Sequence, residues 1–132
     1  MGDTSLFTII LAGLAFFVVG ALWYGVLFGK AWQKAAGLDD AEVRSGNMLK
    51  IFGLTLLFEL LIATVLAHQF AMTGASDRAI MMISVGFALG VMIPAIGINY
   101  LYLRKSGALF LIDAGHFLLG MTAMGAVFAL MN

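Results

Sequence analysis

The sequence predicts an all-α integral membrane protein, an antiparallel bundle of four transmembrane helices with no β-sheet. Apolar residues make up 63% of the 132-residue chain and charged residues only 11%, whereas soluble domains average about 45–50% and about 25%. Four apolar runs of about 24 residues each exceed the roughly 20 that a bilayer requires. They predict helices at residues 5–28, 48–72, 79–103 and 108–131, which together form a single domain over residues 1–132.

Lys and Arg are concentrated in the first and third predicted loops, and the second loop has only Arg78. Because cytoplasmic loops carry an excess of Lys and Arg, we expect loops one and three to be cytoplasmic and both termini to lie outside. The first apolar run is longer than a signal-peptide core of about 7–15 residues, so we expect a retained helix. The basic residues of the two cytoplasmic loops and their flanks are Lys30, Lys34, Arg44, Lys50, Arg104 and Lys105.

The first loop, residues 30–46, is predicted to contain a short interfacial helix. Gly37 is suited to end a helix in the left-handed conformation. Asp39 and Glu42 have the spacing of a capping box, which predicts a further short turn through Arg44. The charges in this loop are mixed in sign, so we expect it to be solvated rather than to attract anionic lipid.

Glycines and one proline predict how the helices bend and pack. Pro94 lies inside the third helix, where it cannot bond the carbonyl of Gly90, and this predicts a kink. Small residues allow helices to approach closely, and four thin helices leave such surface uncovered, so we expect a homo-oligomer, with a dimer favoured. The main close-packing positions are predicted at Gly25, Gly29, Gly86, Gly90 and Gly120, with further glycines at Gly13, Gly20, Gly97, Gly115 and Gly125.

The fourth helix carries an acid and an imidazole, Asp113 and His116, inside an otherwise apolar run. Their spacing of three places both side chains on one helix face, with Cβ atoms about 5–6 Å apart. Ionisable groups in a membrane are costly when unpaired and usually face protein or water rather than lipid. The pair is therefore the first candidate for a functional site.

Other polar residues are predicted to lie at the depth of this pair. At 1.5 Å per residue, Glu59, Asn99 and Asp113 lie about 7–13 Å in from the cytoplasmic ends of their helices. Trp23 and Tyr24 reach the same level, although such rings are also typical anchors at the membrane interface. The candidate polar or ligand-binding cluster in the cytoplasmic half is therefore Asp113, His116, Asn99, Glu59, Trp23 and Tyr24.

A short internal echo relates the inner ends of helices one and three. In each helix a glycine is followed by an aromatic residue and then by a basic residue. If the echo reflects a repeat, the fold consists of two parallel hairpins related by pseudo-symmetry. The matched residues are Gly20, Trp23 and Lys30 in the first helix and Gly97, Tyr100 and Arg104 in the third.

Two functions are compatible with the cluster. It can bind or translocate a proton, ion or small substrate, since histidine titrates near neutral pH. Alternatively, the protein is a non-catalytic structural or accessory subunit, in which interhelical bonds of about 0.6–2 kcal/mol fix the packing. Sequence alone does not decide between them.

Other function classes are disfavoured. The absence of cysteine removes thiolate nucleophiles and thiolate metal sites. One histidine and two acids are a thin ligand set unless a dimer doubles it, so we expect no metal and no cofactor. No nucleophile–base pairing or phosphate loop is visible, so we do not expect an enzyme. A net charge of +0 argues against nucleic acid as a partner, which leaves the lipid bilayer, further copies of the chain and an unknown small ligand.

Several motifs are spread over nearly the full chain. They are Trp23-Tyr24-Gly25, Leu27-Phe28-Gly29-Lys30, Trp32, Gly37, Gly86-Phe87, Pro94, Asn99, Asp113-Ala114-Gly115-His116 and Gly125-Ala126. Together they resemble the motifs of an uncharacterised family of small bacterial membrane proteins, known as domain of unknown function 1761. The resemblance is weakest in helix two, which carries Glu59. It implies a compact four-helix protein of the bacterial inner (cytoplasmic) membrane and supplies no activity.

Overall fold

A computed structural model describes residues 5–132, and all the regular elements in this part of the chain are helices. Four of them are long and apolar enough to cross a membrane. They are α1 (Leu6–Leu27), α4 (Met48–Thr73), α5 (Asp77–Tyr102) and α6 (Gly107–Leu130), and two short helices, α2 (Gly29–Ala36) and α3 (Asp40–Arg44), lie between α1 and α4.

The long helices begin and end within two residues of the bounds that the apolar runs predict. The all-α fold class with four membrane-length helices is therefore confirmed. The end of the bundle that carries Lys30, Lys50, Arg104 and Lys105 is named the basic end below. The predicted location of the N-terminus falls on residues 1–4, outside the described part of the chain.

The connection between α1 and α4 follows its local capping signals. Gly37 ends α2 with a φ of 74°, a left-handed conformation that suits glycine. The Asp39 side chain accepts a hydrogen bond from the Glu42 backbone N–H at 2.7 Å, and the Glu42 side chain accepts one from the Asp39 N–H at 3.3 Å. Both the helix end at Gly37 and the capping box are thus as predicted.

Two of the long helices contain a π-helical turn, at Trp23–Leu27 in α1 and at Ala88–Met92 in α5. In α5 the wide turn ends just before Pro94, which lies in the first turn of the α-helical stretch that follows. A proline has no N–H to donate within a helix. Where the sequence predicts a kink, the structure thus has a π-helical turn next to the proline.

Helix α6 lies at the centre of the bundle. It packs against α1 on one side and against α5 on the other, while α4 packs against α1. The apolar core of these contacts includes Phe16, Phe70, Ile80, Met121 and Met124, all of which are buried. Helices α4 and α5 are consecutive in the chain but share little contact, so the bundle is open between them.

Glycine spacing overpredicts the close approach of helices. At Gly120, a Cβ would lie 2.5 Å from Cε1 of Phe16, so this position needs glycine. A Cβ at Gly29, the first residue of α2, would meet the carbonyl oxygen of Tyr24 in the preceding π-helical turn rather than another long helix. Spacing determines which residues share a face but not which face meets a neighbour. Three of the predicted positions have no atom of the described chain within 4 Å of a Cβ, so the prediction of close packing inside the bundle needs correction at Gly25, Gly86 and Gly90.

Candidate functional site

The carboxylate of Asp113 joins three helices. Asp113 lies on α6 and is 6% exposed. Its Oδ1 accepts a hydrogen bond from the hydroxyl of Tyr24 on α1, and its Oδ2 accepts one from the hydroxyl of Tyr100 on α5, both at 2.5 Å. Both oxygens of the buried acid are thus bonded to side chains of other helices.

Trp23 makes a second connection between α1 and α6. Its indole Nε1–H donates to the carbonyl oxygen of Ile112 at 2.9 Å. The ring lies against Gly115, where a Cβ would be only 2.7 Å from Cζ2 of the indole. Glycine at this position therefore allows the tryptophan to reach the backbone of α6.

His116 lies one helical turn from Asp113, in an aromatic environment. Its ring centroid is 4.9 Å from that of Tyr24 and 5.4 Å from that of Phe16. The side chain is 8% exposed, and Nε2 is buried without a hydrogen-bond partner among residues 5–132. This atom faces α1 at Gly20, where a Cβ would lie 3.0 Å from it. The Nε2 atom of His116 is therefore free to bind a proton or a ligand in a largely apolar environment.

Together, Trp23, Tyr24, Tyr100, Asp113 and His116 are named the Asp113 network. Tyrosine hydroxyls stabilise a carboxylate by donating hydrogen bonds, but they do not neutralise its charge. An uncompensated charge in a membrane interior is costly, so a proton or a small cation would be favoured there. Over residues 5–132 no group of three or more His, Cys, Asp or Glu side chains gathers at one place.

The structure brings four of the six predicted cluster residues together and places the fifth, Asn99, outside. The Asn99 side chain is exposed, whereas Tyr100, the next residue, reaches Asp113. Successive residues on a helix point about 100° apart. The prediction from depth therefore selected the right level of α5 but the wrong side chain.

Glu59, the sixth predicted residue, is buried but lies apart from the network. It is 4% exposed, and no hydrogen bond joins it to Asp113 or His116 within the described residues. Helix α4 packs on α1, with Leu60 against Gly13, rather than on α6. The single cluster predicted from depth needs correction, because a shared depth does not place two side chains on facing sides of their helices.

Sequence reasoning missed two contributors, Tyr100 and Phe16. Tyr100 had a signal, since it is the aromatic member of the echo between helices one and three. Phe16 is one of many phenylalanines in an apolar run, and nothing in the sequence distinguishes it. Its role depends on Gly120, which opens the space that its ring fills beside His116.

Fold and site together define a class: all-helical proteins with four membrane-length helices and a buried polar network between three of them. Within this class, the chain belongs to the family described as protein of unknown function DUF1761, which matches residues 7–129. No curated protein and no solved structure matches the chain significantly. The family assignment confirms the resemblance and adds no activity.

Proposed function

We propose that this membrane protein binds a proton or a small cation at the Asp113 network. The observation that carries the proposal is the environment of Asp113, which has two hydroxyl donors and no ion-pairing Lys or Arg among the described residues. The neighbouring His116 has a buried Nε2 without a partner. An acid and an imidazole one turn apart can share a proton, and histidine changes charge between about pH 5 and pH 8.

The basic end supports a proposed orientation. The network lies in the half of the bundle next to Lys30, Arg104 and Lys105, and excess basic charge marks the cytoplasmic side. We therefore propose that the network is reached from the cytoplasm and that both termini lie on the other side. Accessibility of single cysteines tests this proposal, since the chain has none of its own. We expect Lys34→Cys to be labelled only from the cytoplasmic side and Ser76→Cys only from the opposite side. The reverse pattern would refute the orientation.

The proton proposal is tested by nuclear magnetic resonance of labelled histidine side chains. The chain has two histidines, so His68→Gln leaves His116 as the only signal. We expect the His116 ring nitrogens to take up a proton within the pH range over which the protein stays folded, and Asp113→Asn to change this titration. Asp40→Asn, which alters an exposed acid bonded to Gln33, is the matched control and should have no effect. A His116 signal that stays constant over this range in the folded protein would refute proton binding at the imidazole.

A second candidate is a structural role. It is favoured by the hydrogen bonds of Asp113 and Trp23, which connect α1, α5 and α6 without any ligand. On this account, Tyr24→Phe and Tyr100→Phe lower stability, and no histidine titration or ion flux is found. The purified protein can also be tested for proton flux into liposomes. A flux that is lost in Asp113→Asn would favour translocation over a structural role.

We also propose that the protein self-associates in the bilayer, with a dimer as the simplest form. Gly86 and Gly90 lie four apart on α5, are exposed, and have no neighbour within 4 Å of a Cβ. Such spacing allows the helix of a second copy to approach closely. Mass determination in detergent, with Gly86→Leu as the disrupting variant and Gly53→Leu on α4 as the control, tests this. A monomeric parent protein would refute it.

A further inference from the structure

An apolar groove of about 260 Å³ lies between α4 and α5. Its walls include Leu61 and Val65 of α4 and Phe87 and Met92 of α5. Met121 of the central helix also lines it and is buried. Leu61 and Val65 are 53% and 60% exposed, so the groove is accessible from the region that lipid would occupy.

Glu59 does not itself line this groove but lies on the adjoining stretch of α4, towards the basic end. Positions 59, 62 and 66 share one helix face, and Ile62 and Leu66 both line the groove. Glu59 is therefore three residues, an axial rise of about 4.5 Å, from the lining residue Ile62, on the side of the basic end. Its side chain is 4% exposed, and its Oε2 has no hydrogen-bond partner among residues 5–132.

A buried acid next to an apolar groove selects the chemistry of an occupant. A neutral hydrocarbon chain would fill the groove but leave Glu59 without a partner, and an anion would be repelled. A hydrated metal ion would find one carboxylate and apolar walls, which is a poor ligand set. A cation with an apolar body satisfies both features, because its body covers the groove and its charge pairs with the carboxylate.

We propose that the groove between α4 and α5 binds a lipophilic organic monocation, whose charge lies next to Glu59. The groove with Glu59 is a different site from the Asp113 network, since the two share no residue, and the proposal does not rest on the function proposed for that network. The ligand enters sideways from the bilayer, past Leu61 and Val65, where such cations partition. Glu59 supplies the charge recognition, and the groove supplies the apolar surface.

The test is equilibrium dialysis of tetraphenylphosphonium against the purified full-length protein in detergent. We expect saturable binding of one cation per chain, weakened about tenfold or more in Glu59→Gln, because the charged partner is lost. Glu59→Asp retains the charge and should retain part of the affinity. Asp40→Asn removes an exposed acid elsewhere and is the matched control for net charge.

A second pair of variants tests the groove without changing any charge. Leu61→Phe fills the groove and should weaken binding, whereas Leu49→Phe, on the same helix but outside the groove, should not. Tetraphenylborate has the same shape and the opposite charge, so the Glu59 carboxylate should repel it and Glu59→Gln should not weaken its retention. Circular dichroism and gel filtration confirm that each variant is folded. The proposal is overturned if the parent protein shows no saturable cation binding, or if either Glu59→Gln or Leu61→Phe binds as tightly as the parent.

Discussion

The two buried carboxylates of this protein, Asp113 and Glu59, differ in their surroundings although both lie in long apolar helices. Asp113 accepts two tyrosine hydrogen bonds from two other helices. Glu59 has an oxygen without a partner and lies beside a groove where two helices diverge. Burial alone therefore does not indicate what an intramembrane acid does, and the partners that reach it are more informative.

The largest expected effect is on stability: replacing Asp113 should lower the free energy of unfolding, whereas replacing Glu59 should not. Asp113→Leu leaves the hydroxyls of Tyr24 and Tyr100 without their acceptor and should lower the free energy of unfolding by about 2–4 kcal/mol. Glu59→Leu removes an unpartnered polar group and should leave stability unchanged or raise it by about 1–3 kcal/mol. Unfolding by sodium dodecyl sulphate in mixed micelles measures both. Equal losses in the two variants would remove the distinction between the acids.

A smaller effect is expected from the packing beside His116. Gly120→Ala puts a Cβ against the ring of Phe16 and should cost about 1–3 kcal/mol, because a buried aromatic ring has to move. Gly53→Ala on α4 is the matched control, since nothing lies within 4 Å of its Cβ. The same unfolding assay applies. If the two substitutions have the same effect, the contact between Phe16 and Gly120 does not hold α1 on α6.

The smallest effects come from neighbouring residues on α5. Tyr100→Phe removes one hydrogen bond to Asp113 and should cost about 0.6–2 kcal/mol. Asn99→Ala changes an exposed side chain outside the network and should stay within about 0.5 kcal/mol of the parent. A larger loss of unfolding free energy for Asn99→Ala than for Tyr100→Phe would indicate that Asn99 rather than Tyr100 belongs to the site, as the sequence predicts.

The sequence predicts the helices of this protein better than it predicts the site. Length and composition locate all four long helices, since a bilayer imposes a minimum apolar length. Local signals at Gly37, Asp39 and Glu42 likewise predict the ends of the short helices. These features depend on residues close together in the chain, which the sequence shows directly.

The site was only partly predictable, because its contacts depend on how each helix is rotated about its axis. Counting residues along each helix gives the depth of a side chain, and this correctly places Trp23, Tyr24 and Asp113 at one level. Rotation decides that Tyr100 rather than Asn99 faces α6, and that Glu59 lies apart from Asp113. In a helix that is apolar on all sides, the sequence gives little periodicity from which to infer that rotation.

The central claim, that Asp113 is bonded across helices and that Glu59 is separate from it, is tested most directly by two double-mutant cycles. One combines Tyr24→Phe with Asp113→Asn, and the other combines Tyr24→Phe with Glu59→Gln, with unfolding free energies measured in mixed micelles. We predict a coupling of about 0.5–2 kcal/mol in the first cycle and additivity within about 0.3–0.5 kcal/mol in the second. Additivity in the first cycle, or coupling of the same size in the second, would contradict the account.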